Sequence, residues 1–541
     1  VILSRRALLT GFLGAPFAAL ACRRTVRYPL PPGEIAGASH AFGHMLRDAA
    51  RPVPAPDAWT SQDVVIVGAG VSGLAAAWRL ARADAGDFLL LELEPFEGGT
   101  SRSGSSPVSA YPWGAHYVPA PLRDDRTLIR LLNEIGIIEG TDAAGDPVIG
   151  EQYLCRDPEE RIFYRGRWFE GLYLNAGATH EDLRQLREFE AEVDRWVAWR
   201  DAKGRRAFTI PIAAGSDDDT VMALDRISAR QWLDQHGWMS PRLRWLIDYA
   251  CRDDYGAHPE DTSAWAALFY FASRLPAPGK PSQPLITWPE GNGRLVRHLA
   301  TASRGHIETG WLVTTVSPEA DHVNVTAVSR DGRHVRGIHA KHVIFAAPQF
   351  IAARVIPGYR DVKDFVYGSW LVANLTLTEH PSSSALSDGF PLSWDNVLYE
   401  SPSLGYVVAT HQTGRDTGPT VLTYYYAFCD RDPRVARERL LSAGRDEWAE
   451  VVLSDLERAH PDIRRLTQRL DVMRWGHAMI RPYPGFFSSP SRRAAAKPFR
   501  NIHFANTDLS GVALFEEALH HGVRAAEEVM AEQGRRVGSF L

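Results

Sequence analysis

One stretch of about thirty residues, from Asp63 to Glu92, restricts the fold of this chain more than any other part of it. Asp63-Val64-Val65-Ile66-Val67 is a short apolar run rich in β-branched side chains, the pattern of a strand buried on both faces. Gly68-Ala69-Gly70-Val71-Ser72-Gly73 follows, then a helical pattern from Leu74 to Ala83, then a second apolar run, Phe88-Leu89-Leu90-Leu91, ending at Glu92. Strand, glycine turn, helix, strand and terminal acid in that order predict a parallel sheet with a dinucleotide at the turn. Gly68 permits the tight turn, Gly70 lets backbone amides approach a pyrophosphate, and Gly73 lets the helix pack closely on the strand. Ser72 lies in this turn ahead of the helix, whose N-terminal partial positive charge faces the phosphates, and Glu92 is placed to accept hydrogen bonds from a ribose hydroxyl pair.

The 541 residues around this unit are too many for a small binding module and fit several structural units or one large two-domain enzyme. Hydrophobic residues at 45% and charged residues at 23% are ordinary globular values, which excludes wholesale disorder. Lys and Arg total 60 against 65 Asp and Glu, so the net charge of −5 gives no electrostatic argument for a nucleic-acid partner. Sixteen Trp, 17 Tyr and 22 Phe predict an aromatic-rich interior or pocket.

The amino-terminal residues 1–22 stand apart. Arg5-Arg6 precedes a charge-free run from Ala7 to Ala21, whose 15 residues fall short of the ~20 needed to span a bilayer, so it reads as an export signal of the twin-arginine type. That places the protein in the bacterial periplasm or on the outer face of the cytoplasmic membrane. Cys22 has two readings: Ala19-x-Ala21 suits ordinary cleavage, whereas Ala21-Cys22 resembles a lipoprotein junction that would attach the chain to the membrane. Residues 23–60 hold six prolines and little periodicity, as in an extended tether. Cys155, Cys251 and Cys429 lack Cys-x-x-Cys spacing and read as buried thiols. His40 and His44 are four apart but no third ligand accompanies them, so no metal site is expected.

Further on, Gly98-Gly99-Thr100-Ser101 follows Glu92 by six residues, and the carboxy-terminal region reads Ile502-His503-Phe504-Ala505-Asn506-Thr507-Asp508 before a helical pattern from Phe515 to Met530. On these residues the chain resembles the flavin-containing amine oxidase superfamily, which includes polyamine oxidases, protoporphyrinogen oxidase and carotenoid desaturases. The resemblance implies FAD as cofactor, with Gly98, Gly99, Thr100 and Ser101 at its pyrophosphate and Asp508 in the segment beside the flavin. Trp113-Gly114-Ala115-His116-Tyr117 looks like the segment that passes close to the flavin, with Gly114 and Ala115 against it. Pro289-Glu290-Gly291-Asn292-Gly293 looks like the mid-chain glycine turn, and Val313 sits where the family contacts adenine. The implied fold is α/β: a discontinuous Rossmann-like FAD domain over residues 61–120, 285–350 and 470–535, and a mixed substrate domain of helices and antiparallel sheet over 121–284 and 351–469.

Within that substrate domain, Leu183, Leu186, Phe189, Val193 and Trp196 recur at helical intervals behind a Thr179/Asp182 capping box. Residues 371–377, 406–410 and 421–428 alternate as strands of an antiparallel sheet that carries Tyr424, Tyr425, Tyr426 and Phe428. Three departures from the family stand out. Its active-site Lys is missing from the strand Gly368 to Asn374, Leu514 stands nearest the Tyr of its aromatic cage, and Thr100 replaces the Arg that usually follows the Gly-Gly pair. The expectation is an FAD-dependent oxidoreductase taking a hydride from a small molecule, foremost an amine or polyamine C–N bond. The alternatives are a desaturase-like C–C dehydrogenase and an exported flavin protein without net oxidation. His116, Tyr117 and Trp475 are the candidate catalytic residues, His116 as a group orienting substrate or accepting its proton near neutral pH. The electron acceptor is oxygen or a membrane electron carrier.

Overall fold

Two sheets built from opposite sequence logic organise the molecule, for which the computed structural model describes residues 28–47, 51–143, 145–382 and 392–541. The Arg5-Arg6 pair, the apolar run and Cys22 lie outside the described residues. The first sheet orders Ile307–Thr309, Phe88–Glu92, Trp59–Val67, Val335–Phe345, Val323–Ser329 and Trp311–Pro318, with Ile502–Phe504 beside the end of Val335–Phe345. Its central strands run parallel, Val67 opposite Leu91 on one side and Phe345 on the other. Covered on both faces, they are apolar at consecutive positions, and Val64, Val65 and Ile66 are wholly buried. Helices Val71–Arg82 and Phe515–Glu532 lie on one face, so close that a Cβ at Gly522 would stand 2.2 Å from the Ser72 carbonyl oxygen.

The second sheet has eight strands, in the order Ile35–Gly37, Thr467–Ile480, Tyr367–Leu377, Thr420–Phe428, Gly405–Val408, Asp395–Leu398, Glu160–Tyr164 and Arg167–Glu170. Its middle is antiparallel, and Tyr367–Leu377 is buried at every position. Alternation sends neighbouring side chains to opposite faces. Tyr424 turns toward helices Pro433–Ser442 and Arg445–Leu456, where its hydroxyl donates to Asp455, while Tyr425 turns to the other face with Trp370 and Val372. A third body of helices, His180–Ala198, Ala229–Gln235, Pro241–Tyr255 and Ala264–Ala272, packs around Trp196, Trp232, Trp238 and Trp265. The Thr179/Asp182 capping box forms as the sequence predicts, the two backbone amides each donating to the other residue's side chain.

The structure departs from the sequence reading at two segments. The described part of the expected tether is packed: Ile35–Gly37 adds an edge strand beside Thr467–Ile480, the Pro32 carbonyl accepts from the Leu470 amide at 3.0 Å, and Leu46 is buried. Prolines lack a donor, which suits an edge strand as well as a linker. Thr467–Ile480, expected to belong largely with the FAD-binding segments, is the second strand of the eight-stranded sheet, since an alternating strand does not announce which sheet it joins. No helix of the described residues is long and apolar enough to cross a membrane. Gly522→Ala should force the two helices apart and lower stability by about 1–3 kcal/mol, read as an earlier thermal unfolding transition; an unchanged transition contradicts the packing described.

Candidate active site

The glycine turn is shaped by its close approaches. Gly68 has φ of +98°, a left-handed conformation open to glycine, and a Cβ at Gly73 would stand 1.8 Å from the Gly68 carbonyl oxygen. At Gly70 an added Cβ would meet nothing within 4 Å, so this turn faces open space rather than packed protein. The second glycine pair closes against it: Gly98 donates to the Ala69 carbonyl at 2.7 Å, and a Cβ at Gly99 would approach the Gly70 Cα to 3.2 Å. Ser72 and Ser101 are buried beside these turns. Glu92 accepts from the Ala69 amide at 2.6 Å through one oxygen and from the Glu94 amide at 2.8 Å through the other. Burial pushes its pKa up to about 7 although both amides favour the carboxylate. An open glycine cradle at a helix N-terminus with an acid at the adjacent strand end fits the FAD dinucleotide, and each Glu92 oxygen keeps a lone pair for a ribose hydroxyl.

Val313 is buried in the apolar cluster that contains Val67 and Leu91. Asp508 is buried, and one oxygen of its carboxylate accepts from the Gln349 amide at 2.8 Å and the Tyr367 hydroxyl at 2.5 Å, which ties loop to strand. Arg102, two positions after Thr100, is likewise buried, donating to the Ala36 carbonyl and lying 3.9 Å from Glu94.

The segment from Trp113 to Tyr117 is pinned from both sides. The Ala115 amide donates to Thr100 and the Trp113 amide to Arg102, both at 3.0 Å, and the backbones are near enough that a Cβ at Gly114 would stand 2.2 Å from the Thr100 oxygen. From the eight-stranded sheet the Tyr425 hydroxyl donates to the Gly114 carbonyl at 2.9 Å, and the Trp475 indole to the Trp113 carbonyl at 2.6 Å. His116 Nδ1 lies 3.3 Å from the same Gly114 carbonyl, which can only accept, so Nδ1 carries the hydrogen and Nε2 presents a lone pair. The ring sits among Tyr117, Trp394 and Tyr425, and burial pulls its pKa down to about 4. The expected titration near neutral pH is therefore corrected: His116 is a neutral imidazole suited to orienting a ligand, and a weak base. Burial also raises the Tyr117 phenol, which keeps it protonated.

This segment forms one wall of a cavity of about 700 Å³ that also reaches Thr100, Trp370, Trp475, Tyr425 and Leu514. The strand that bears the family's Lys presents Trp370 and Val372 to the cavity, and the Trp370 indole nitrogen is buried without a hydrogen-bond partner. Of the tyrosine run, Tyr425 lines the cavity. Eight carboxylates line it against two cationic side chains, Arg274 and Lys280. Glu160, Asp253 and Glu516 are pushed up to about 7 by burial, and Asp395 is raised further in the same direction by burial and by Glu160. Arg274, 3.3 Å from Asp254, is the buried counter-charge. The sequence reading missed this acidic lining. Its members come from separate segments, and the one local signal is Asp253-Asp254 on the otherwise apolar face of Pro241–Tyr255.

With this geometry in hand, the comparisons with known proteins are specific. The family described as flavin containing amine oxidoreductase matches residues 71–530. Oxidoreductase PigB of Serratia sp. (strain ATCC 39006) is 23% identical over 291 residues, a match spanning 50% of this chain and 41% of that protein's length. Among solved structures, cyclohexylamine oxidase from Brevibacterium oxydans IH-35A superposes with a TM-score of 0.62 at 18% identity, over 88% of this chain and 100% of that one. Wild-type putrescine oxidase bound to putrescine gives 0.60 at 16% identity, over 87% and 100%. A fatty acid isomerase from P. acnes that produces CLA gives 0.57 at 14%, over 87% and 98%. These likenesses establish a shared fold. Glu92→Ala should weaken FAD binding by about 10–150-fold, the equivalent of one charge-assisted hydrogen bond, measured as flavin released on dilution; undiminished retention contradicts the role given to Glu92.

Proposed function

Because the chain belongs to the flavin containing amine oxidoreductase family and is an FAD-dependent oxidoreductase, we propose that it oxidises a C–N bond of an amine bearing a second positive charge, a diamine or polyamine. The observation that carries this reading is the cavity beside the Gly114 segment, where eight carboxylates face two cations. Buried carboxyls that hold protons in the free protein ionise when a cation enters, because the ligand replaces the lost hydration. A neutral hydrocarbon would gain nothing from such a lining.

Bound FAD supplies the two-electron acceptor for a hydride leaving the carbon next to nitrogen. Everything else falls to the chain. Tyr117, Trp394 and Tyr425 give the reacting carbon an aromatic enclosure that excludes water, and the His116 Nε2 lone pair accepts a hydrogen bond from the substrate nitrogen. A protonated amine has no lone pair to assist hydride departure, so its proton must leave first; Glu160, near 7, is suited to take it. The distal ammonium stays paired with the remaining carboxylates. The Arg5-Arg6 segment supports export of the loaded protein, and Lys at both positions should hold it in the cytoplasm; undiminished export of that variant refutes the route.

Anaerobic mixing with candidate substrates, followed through the flavin spectrum, tests the reading. Diamines should bleach the flavin with a lower half-saturation concentration than monoamines of equal length. Asp253→Asn should reduce kcat/KM for the diamine by about tenfold or more, through loss of a buried charge contact, and leave the monoamine less affected. Bleaching by a neutral C–C substrate with none by any amine contradicts the proposal.

A further inference from the structure

A second cluster of ligand-type side chains lies on the helix-covered face of the parallel sheet, among residues the FAD site does not use. His342 on Val335–Phe345 and His503 on Ile502–Phe504 project from adjacent parallel strands, in a register that sets Ile344 opposite His503. Glu532, the last residue of helix Phe515–Glu532, reaches over both. Among the described residues these three offer one ligand atom each within 4.8 Å of one another. The Glu532 Oε2 is 3.2 Å from His503 Nε2 and 3.3 Å from His342 Nδ1. For a tetrahedral ion held at ~2.0–2.1 Å, ligand atoms stand about 3.3 Å apart, so these two edges already have the right length.

Two further features favour an ion over a plain ionic contact. His342 Nδ1 is buried and makes no hydrogen bond despite its nearness to Glu532, so a ligand at the centre of the triad would satisfy it. His503 is wholly buried, and its other nitrogen, Nδ1, faces Glu528 Oε2 at 3.0 Å, with Glu528 in turn held by Arg524. A carboxylate behind a histidine, fixing which nitrogen is free to ligate, is the usual support of a metal-bound imidazole. Glu532 is half-exposed, which gives an ion a path from solvent and leaves room for a water as fourth ligand.

We propose that His342, His503 and Glu532 form a binding site for a divalent transition-metal ion, Zn²⁺ by ligand type and geometry, with Glu528 as a positioning residue. Two carboxylates, Glu532 in the triad and Glu528 behind His503, balance the ion's charge. The site fastens the carboxy-terminal end of helix Phe515–Glu532 to the sheet, while the helix's other end carries Phe515 and Glu516 into the cavity.

The test uses untagged, FAD-loaded full-length protein stripped with chelator and titrated with ZnCl₂ by calorimetry. One equivalent per chain should bind, and saturating Zn²⁺ should raise the thermal unfolding midpoint. H342A and E532Q should abolish both effects, and E528Q should weaken affinity by about 10–100-fold. An unchanged flavin spectrum shows that each variant is folded; if H342A fails this check, the half-exposed E532Q decides. Absence of saturable binding, or wild-type affinity in E532Q, overturns the proposal.

Discussion

The carbonyl oxygen of Gly114 is the joint on which the active-site half of the molecule is hung. It accepts from Tyr425 on the eight-stranded sheet and from His116 in its own segment, while the neighbouring Ala115 amide holds Thr100 of the second glycine turn. A side chain at position 114 would collide with Thr100, so the approach needs glycine. Through this joint the cradle set by Gly68, Gly70 and Glu92 is fixed relative to the substrate cavity. Each hydrogen bond is worth only about 1 kcal/mol in stability, yet together they fix positions on which hydride transfer depends steeply.

The cavity beyond that joint is electrostatically unfinished. Glu160, Asp253 and Glu516 have pKa values raised to about 7 by burial, so their contribution to stability is fully present below the unfolded carboxyl value and is lost as pH rises through 7. Arg274 pairs with Asp254, and with Lys280 it makes two cations against eight carboxyls. The cationic substrate we propose would complete the charge balance that the chain leaves open. His116, lowered to about 4 by the same desolvation, contributes no positive charge against that ligand at neutral pH.

What was legible in the sequence was local. The Asp63–Glu92 unit could be read because its strands, glycines and acid sit at spacings fixed by covalent geometry, and the Thr179/Asp182 cap because it spans a single turn. The family resemblance extended this reading to the Gly98-Gly99 turn and the Gly114 segment. Long-range choices were not legible. Residues 23–60 read as a tether although Ile35–Gly37 is an edge strand, and Thr467–Ile480 gave no sign of its sheet. The Gln349 and Tyr367 partners of the Asp508 carboxylate lie far from it in the chain and gave no local signal. The acidic cavity and the His342/His503/Glu532 cluster are assembled from segments far apart in the chain, where residue type alone does not separate a buried acid from a solvated one.

The central claim, that desolvated carboxyls beside the Gly114 segment select a cation, is tested most directly with a ligand whose own charge does not titrate. A bis-quaternary alkyl diammonium, titrated into the FAD-loaded protein between about pH 5 and pH 8, reports on the carboxyls alone. The account predicts affinity that tightens as pH rises through 7, with protons released on binding, because Glu160, Asp253 and Glu516 must ionise to receive the cation. Affinity that is independent of pH, or that weakens as pH rises, would contradict it.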